Sequence, residues 1–308
     1  MSWILLTSLP NQQLGHPDVV VYWKVRDGAV WTQGRRQRNA DVETFEVRTD
    51  SDNRYFARDK NWVYHAGTCL KKIDRDSFEL LGDSYYSRDK NLVYYEYDSA
   101  VKPLKGECVH HFRYLGIGYA RDSKFAYYGG TPIRSCKSPL TFSVVETEGE
   151  LAFACDEDLV FFERALLKGV DRKSWRHLEV CFSRDDKSGF WCSKKLPRLD
   201  VASWELVDGT SYSKDKSNVY VMDWRLPAAR SETWRPISAD YSTDGDNVYF
   251  VRTKLDGAHA PSFRITSQPG ALDQRAEDNT GRWIGEERET PARLEQLASL
   301  RRLRSNGE

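Results

Sequence analysis

The sequence predicts an all-β fold made of about eight tandem β-hairpin repeats of about 30 residues each. Its first recurring marker is an Asp-centred turn between runs of aromatic and β-branched residues, as in "YFARDKNWVYHAG" and "YYSRDKNLVYYEY". A second marker is an aromatic residue in phrases such as "DRDSFELL" and "DVASWELV". Two independent markers that keep the same spacing eight times indicate a repeat architecture.

The positions of both markers define the repeats. The central residues of the first marker are Asp27, Asp59, Asp89, Asp122, Asp156, Asp185, Asp215 and Asp244, separated by 32, 30, 33, 34, 29, 30 and 29 residues. The second marker is Phe45, Phe78, Phe112, Phe142, Trp175, Trp204, Trp234 and Phe263.

Each Asp-centred marker predicts a hairpin turn, because the flanking residue types favour extended chain. Asp89 suits the first turn position, where its carboxylate can accept an amide two residues later. Asn91 tolerates the left-handed conformation that a tight reversal uses. The turn is expected to set the register of the two strands.

The rest of each repeat predicts a second turn, a short helical turn and a core residue. Gly67 and Gly129 are expected at positive φ after the second strand. Asp74 suits the N-cap of a single helical turn. Phe78 and its equivalents are expected to supply one large apolar group per repeat to the core.

These phrases, "RDKNWVY" and "RDKNLVYY" with "DRDSFELL" downstream, resemble the DKNYY family of bacterial repeat proteins. The resemblance covers roughly residues 20 to 265, is strong in repeats two, three and seven, and is weak in repeats one and five. It implies a repeat fold and a bacterial source. The family has no characterised activity, so the resemblance carries no catalytic residue to this sequence.

Repeats of this length cannot bury their faces alone, so neighbours are expected to stack. We expect a curved open array, because propeller blades usually need about forty residues. A closed propeller-like ring is the alternative.

The chain divides by sequence into three parts: an N-terminal segment (residues 1–19), the β-hairpin repeat domain (20–266), and a polar linker with a C-terminal amphipathic helix (267–308). Pro269 and Gly270 mark the second boundary. The phrase "TPARLEQLASLRRLR" predicts the helix, with Thr290 as N-cap and leucines at spacings of three.

Composition limits the partners and the compartment. The 46 basic and 46 acidic side chains balance, which argues against a nucleic-acid or anionic-membrane binder. No apolar run is long enough for a transmembrane helix, and the first residues lack the features of a signal peptide. The sequence therefore predicts a cytoplasmic protein, and its six cysteines are expected to be reduced, buried thiols.

No catalytic residue, metal ligand or cofactor is predicted, because no known catalytic or phosphate-binding motif is present. The phrase "ECVHHF" places Cys108 beside His110 and His111. In a strand, adjacent His side chains point to opposite faces and would not share one ion.

Interruptions of the repeat give the candidate binding residues, since departures from a scaffold are places where loops carry function. The third repeat contains "EYDSAVKPLKGECVHH", and the seventh contains "MDWRLPAAR". Tyr97, His110, Trp224 and Arg225 lie in these stretches, and Trp and Arg often dominate protein interfaces.

These observations predict a non-enzymatic, protein-binding repeat scaffold whose partner is another protein, neither nucleic acid nor membrane. The specific role expected is that of an immunity protein that neutralises a cognate bacterial toxin. One alternative is a hydrolase with an Asp/Glu or Cys/His site in a groove of the array. The other is a glycan-binding module.

Overall fold

The computed structural model describes residues 3–8, 23–48, 55–82, 84–97, 100–104, 109–147, 151–268 and 274–291. In these ranges the chain forms 36 short strands arranged in nine antiparallel sheets. The predicted all-β fold of repeated hairpins is confirmed. The chain divides into two compact units, Met1–Leu166 and Leu167–Glu308.

The first unit contains five sheets. Sheet 1 contains β2 (Trp23–Arg26), β3 (Ala29–Thr32) and β4 (Arg35–Arg36). Sheet 2 has the order β1 (Ile4–Leu5), β5 (Glu46–Val47), β6 (Phe56–Arg58), β7 (Val63–His65) and β8 (Thr68–Cys69). Sheet 3 contains β9 (Glu79–Leu80), β10 (Tyr86–Arg88), β11 (Val93–Tyr97) and β12 (Ala100–Pro103). Sheet 4 contains β13 (Arg113–Gly116), β14 (Tyr119–Arg121), β15 (Ala126–Tyr128) and β16 (Thr131–Pro132). Sheet 5 contains β17 (Ser143–Val144), β18 (Phe153–Cys155), β19 (Val160–Phe162) and β20 (Ala165–Leu166).

The second unit contains four sheets of four strands. Sheet 6 contains β21 (Arg176–His177), β22 (Phe182–Arg184), β23 (Gly189–Trp191) and β24 (Lys194–Lys195). Sheet 7 contains β25 (Glu205–Leu206), β26 (Tyr212–Lys214), β27 (Val219–Val221) and β28 (Trp224–Arg225). Sheet 8 contains β29 (Arg235–Pro236), β30 (Tyr241–Thr243), β31 (Val248–Phe250) and β32 (Thr253–Lys254). Sheet 9 contains β33 (Arg264–Ile265), β34 (Arg275–Asp278), β35 (Gly281–Ile284) and β36 (Glu287–Arg288). In each of sheets 3 to 9 the four strands are called the first to the fourth in chain order. In sheet 2 the strands β5, β6, β7 and β8 are the first to the fourth, and β1 is an added strand.

Short 3₁₀ turns precede many of the first strands. Six are described: Leu6–Ser8, Val42–Thr44, Val109–His111, Pro139–Thr141, Val201–Ser203 and Ala260–Ser262. Asp41 caps one of them by accepting the Thr44 amide. In sheet 3 the same segment is a turn, in which Asp74 accepts the Ser77 amide at 3.1 Å. No described helix is long and apolar enough to span a bilayer.

Neighbouring sheets in the first unit share their cores. One cluster joins Phe56 and Val63 of sheet 2 to Phe78 and Tyr94 of the third repeat. Phe78 is 4% exposed. Because each sheet covers part of the next, both faces of the hairpins carry apolar side chains, and the expected stacking of repeats is confirmed there.

The aromatic second marker is a core residue, as predicted. Phe45, Phe78, Phe112, Phe142, Trp175, Trp234 and Phe263 are all buried. Trp204 is half-buried, and its indole ring lies edge-on to Phe182 at 5.8 Å between centroids. The sequence marker therefore identifies one core anchor per repeat.

The buried carboxylate of the turn explains the first marker. Oδ1 of Asp89 accepts the amides of Asn91 at 2.7 Å and Leu92 at 2.8 Å. Oδ2 accepts the amide of Asp74 at 2.9 Å and the hydroxyl of Tyr94 at 2.8 Å. One carboxylate thus joins the hairpin turn, the third strand and the segment before the first strand.

Asp59, Asp215 and Asp244 make the same four kinds of contact in their own repeats. A buried anion is stable only when its oxygens accept hydrogen bonds, so each buried aspartate needs nearby donors. Asp156 and Asp185 keep amide donors, although Phe161 and Phe190 replace the tyrosine. The spacing of five residues from Asp to Tyr reflects this network in the repeats that have the tyrosine.

Three sequence expectations need correction. Asp27 lies in a two-residue turn between β2 and β3, with φ of 52°, and its side chain is 78% exposed, so the first copy lacks the buried network. Asn91 does not adopt the left-handed conformation. Positive φ occurs instead at the second turn, where the predicted Gly67 (83°) and Gly129 (56°) are found.

The third correction concerns the predicted linker. Residues 275–288 form β34, β35 and β36, so this part of the segment belongs to a ninth sheet. Asp278 takes the place of the turn aspartate, accepting the amides of Thr280 and Gly281. The predicted C-terminal helix lies almost wholly outside the described residues.

Candidate functional site

An open pocket of about 280 Å³ lies beside the first strands of sheets 3 and 4. We call it the sheet 3–4 pocket. Its lining residues are Ser77, Glu79, Arg88, Asp89, Lys90, Val109, His110 and Arg113. The repeat places them there: Glu79 and Arg113 occupy equivalent first-strand positions, and Lys90 lies in the hairpin turn.

The charges of the pocket are unevenly paired. Arg88 forms an ion pair with Glu79, and Lys90 Nζ lies 2.7 Å from Asp74 Oδ2. The hydrogen bond from Lys90, assisted by Ser77, lowers the pKa of Asp74 to about 2. Asp74 in turn raises the pKa of Lys90. Arg113 donates to the carbonyl of Phe112 at 3.2 Å and makes no ion pair with any described residue.

Comparison of the repeats shows that Arg113 replaces the acid of the two preceding sheets. Arg also holds this position in sheets 6, 8 and 9, as Arg176, Arg235 and Arg264. In sheet 2, Glu46 pairs with Arg58 across the first and second strands at 2.6 Å. In sheet 4 the same two positions hold Arg113 and Arg121, directly opposite each other. Like charges in opposite positions are destabilising. The pocket therefore carries a cation where sheets 2, 3 and 7 carry an acid.

Arg121 partly compensates by binding backbone carbonyls. Its Nη1 donates to the carbonyls of Pro139, at 3.3 Å, and Leu140. Its buried Nε has no hydrogen-bond partner. In sheet 2 the corresponding Nε of Arg58 donates to Glu46 at 2.6 Å. Sheet 4 has Arg113 in the position of this Glu46 acceptor.

The structure places His110 in this pocket, where its side chain is exposed. His110 and His111 belong to the 3₁₀ turn Val109–His111 and not to a strand, which corrects the strand expectation for this pair. Cys108 lies outside the described residues. Among the described residues, no group of three His, Cys, Asp or Glu side chains is arranged to hold a metal ion.

Tyr97 lies at the end of the β11–β12 hairpin, which is longer than the corresponding hairpin of sheet 4. Its side chain is 61% exposed, and Lys102 Nζ lies 5.9 Å from its ring centroid. Tyr85 is 60% exposed, and its ring lies 6.1 Å from that of Tyr95. The third repeat therefore presents two tyrosines to solvent.

Trp224 and Arg225 lie on β28 in the second unit, so the structure does not assign all four predicted residues to one unit. Trp224 is 50% exposed, and the guanidinium carbon of Arg252 lies 5.0 Å from its ring centroid. Arg225 donates to Oδ1 of Asn218 at 3.4 Å. Met222, in the preceding turn, is 42% exposed.

Two described thiols lack the properties of a nucleophile. Burial, with the neighbouring carboxylate of Asp156, raises the pKa of Cys136 to about 12. Burial also raises the pKa of Cys69. Both thiols are protonated near neutral pH, whereas a nucleophilic cysteine needs its thiolate.

Sequence reasoning missed the charged residues of the pocket. Comparing repeats does not identify Arg113. The phrase "SFELL" in the third repeat becomes "HFRYL" in the fourth, but Arg holds the same position in "WRHL", "WRPI" and "FRIT". Which neighbouring side chains share its pocket depends on stacking, which the sequence does not give.

The profile of the DKNYY family matches residues 18–98 and 86–224. Together these segments exceed half of the 308 residues. Comparisons with curated proteins and with solved structures gave no match.

Proposed function

The chain belongs to the DKNYY family, and we propose that it is a non-enzymatic scaffold that binds another protein. The observation that carries this proposal is the exposure of Tyr97 and Trp224 in stretches where the sequence departs from the repeat. In the third strands of the same two repeats, Tyr94 and Tyr220 are buried, at 4% and 0% exposed.

These exposed side chains have the composition of a binding surface. Tyr, Trp, Met and Arg are enriched in protein interfaces, and Trp, Tyr and Arg dominate their binding energy. Met222, Trp224 and Arg252 bring three of these types together in the second unit. In the first unit, Tyr85 and Tyr97 supply the fourth residue type, tyrosine.

Within this proposal, the partner is a protein of the same bacterial cell or of a competitor, and a cognate toxin is the specific case we expect. The chain would then act as an immunity protein in the cytoplasm. Abundant side chains of both signs on a neutral chain favour selective docking over general adhesion.

Native purification tests the proposal. The tagged chain is purified from its own cells under mild salt, and co-purifying proteins are identified by mass spectrometry. We expect a stoichiometric protein partner whose affinity falls at least about thirtyfold with Tyr97→Ala or Trp224→Ala, the loss typical of an interface hot spot. Leu92→Ala, which removes another exposed side chain of the third repeat, is the control and should bind normally.

The outcomes separate the functional classes. If the partner is a toxin, stoichiometric addition of the chain abolishes its activity. Isolation of the chain without any partner would refute the scaffold. Turnover on a hydrolase panel that is lost with His110→Ala would replace the scaffold with the enzyme alternative.

A further inference from the structure

The N-terminal strand β1 shows how an extended segment docks on this fold. It adds to the free edge of β5, with Ile4 opposite Val47 and Leu5 opposite Glu46. The amide of Leu6 donates to the carbonyl of Phe45 at 2.8 Å. A segment about 40 residues away in the sequence thus becomes the fifth strand of sheet 2.

The added strand completes the burial of that edge. Val47 is 0% exposed, and Leu6 enters the core cluster that contains Phe45. At the position of Val47, other described sheets have half-buried apolar residues: Leu80, Tyr114, Val144, Leu206 and Ile265. Their first strands are at the edge of the sheet, without an added strand. These edges are templates for strand pairing.

The backbone of β13 offers the same bonds as that of β5. The Leu6–Phe45 bond and the alternation of an antiparallel ladder direct the Val47 amide toward β1. The amide of Tyr114 has the equivalent position on β13 and faces away from β14. Sheet 8 differs, because Pro236 occupies this position and has no amide hydrogen.

The positive charges of Arg113 and Arg121 determine which kind of extended segment β13 would bind. A strand in the register of β1 places the counterpart of Leu5 opposite Arg113, on the face that lines the sheet 3–4 pocket. Arg113 has no ion pair with described residues, and the Nε of Arg121 lacks an acceptor. An acidic side chain at this point would supply a carboxylate like those of Glu46 and Glu79, which pair with the corresponding arginines in sheets 2 and 3.

We propose that β13 binds an extended segment of the partner protein by strand addition, with an acidic residue of that segment opposite Arg113. This inference rests on the proposed function and names the chemistry of one contact. Main-chain bonds to the strand edge give affinity, and the pocket gives selectivity for the acid.

Two peptides test the proposal on the full chain. The sequence SWILLTS reproduces residues 2–8, and SWIELTS places Glu at the position of Leu5. Binding is measured by fluorescence anisotropy, and amide hydrogen exchange locates the contact. We expect SWIELTS to bind saturably, to bind about tenfold more tightly than SWILLTS, and to protect the Tyr114 amide.

Matched variants identify the edge. Tyr114→Pro removes the outward amide and should weaken binding at least about tenfold; Pro236 shows that the fold accepts Pro at this position. Leu206→Pro makes the same change in sheet 7 and should leave binding of SWIELTS unchanged. Arg113→Glu should reverse the preference between the two peptides.

Three results would overturn strand addition at β13. They are no saturable binding of SWIELTS up to about millimolar concentration, full binding by Tyr114→Pro, or preference for SWILLTS with dimerisation of the chain. The last result would show exchange of β1 between copies. None of these results affects the native partner assay, so the scaffold function can stand if this contact fails.

Discussion

Trp283 donates a hydrogen bond from its indole Nε1 to Oδ2 of Asp278 at 3.2 Å. In sheet 3 the equivalent contact is the bond from the Tyr94 hydroxyl to Asp89. Both aromatic residues follow their aspartate by five positions. The ninth repeat therefore keeps the donor while changing the ring. Sheets 5 and 6 do the opposite, since Phe161 and Phe190 keep an aromatic ring at this position without a donor.

Asp89→Asn should destabilise the protein by about 2 kcal/mol, because the amide group of Asn cannot accept all four donors that converge on the carboxylate. Asp27→Asn is the matched control, since Asp27 is exposed and Asn tolerates its positive φ. It should change stability by less than about 0.5 kcal/mol. Urea unfolding measures both, and equal effects would refute the structural role of the buried network.

Tyr86→Phe should cost about 1 kcal/mol. The hydroxyl donates to the Gly118 carbonyl at 3.1 Å and accepts the Gly130 amide at 2.9 Å, so it joins sheets 3 and 4. Phe56 and Phe153 occupy the same position in other sheets, so the ring alone is compatible with the fold. Hydrogen exchange should show loss of protection at the Gly130 amide.

Tyr97→Phe is the control for that variant, because its side chain is 61% exposed. It should leave the unfolding midpoint unchanged within error. A Tyr86→Phe protein with unaltered stability and unaltered exchange at Gly130 would show that the hydroxyl does not hold the two repeats together.

Stability should fall in acid. Burial alone would raise the pKa values of four turn aspartates, but the hydrogen bonds that each carboxylate accepts outweigh this effect. The net result is a pKa below the usual value for Asp89, Asp215, Asp244 and Asp278. A depressed folded-state pKa stabilises the fold above the unfolded value of about 3.9, and this contribution disappears as pH falls through the folded pKa.

Urea midpoints measured from about pH 6 to pH 2 should therefore decline below about pH 4. The Asp215→Asn variant should show a shallower decline, because it has one fewer carboxylate to protonate. A midpoint independent of pH across this interval would contradict the role of these aspartates.

Ser213→Ala should be neutral or stabilising by up to about 1 kcal/mol. The Ser213 side chain is 0% exposed, and its hydroxyl has no hydrogen-bond partner. Ala57 and Ala120 occupy the equivalent position in sheets 2 and 4 and are also fully buried. Thermal unfolding checks the change, and a loss above about 1 kcal/mol would mean that the hydroxyl is satisfied in solution.

The sequence was sufficient for the repeat and its core, because both depend on local chemistry. Asp89 accepts the amides of the residues two and three positions later. Phe78 directly precedes the first strand of its sheet, and the equivalent aromatic residue does so in the other repeats. Such contacts leave periodic signals in a single sequence. Asp27 resembles the other turn aspartates in sequence, because an exposed two-residue turn and a buried four-residue turn can have similar flanking residues.

The pocket could be predicted only in part. His110 was found because it interrupts the repeat, but Arg88 and Lys90 follow the repeat and gave no signal of their own. Their shared environment arises from the stacking of sheets 3 and 4, which periodicity does not specify. Tyr97 and Trp224 were identified as interruptions, and both side chains are exposed.

The sequence range of the residues that bind each turn carboxylate affects how such chains can change in evolution. Asp215 binds partners from Asp200 to Tyr220, a span shorter than one repeat. Gene duplication or deletion of one complete copy would therefore leave every such network intact. We expect natural variants of this architecture to differ in length by whole copies, with the cut points falling between a fourth strand and the segment that follows it.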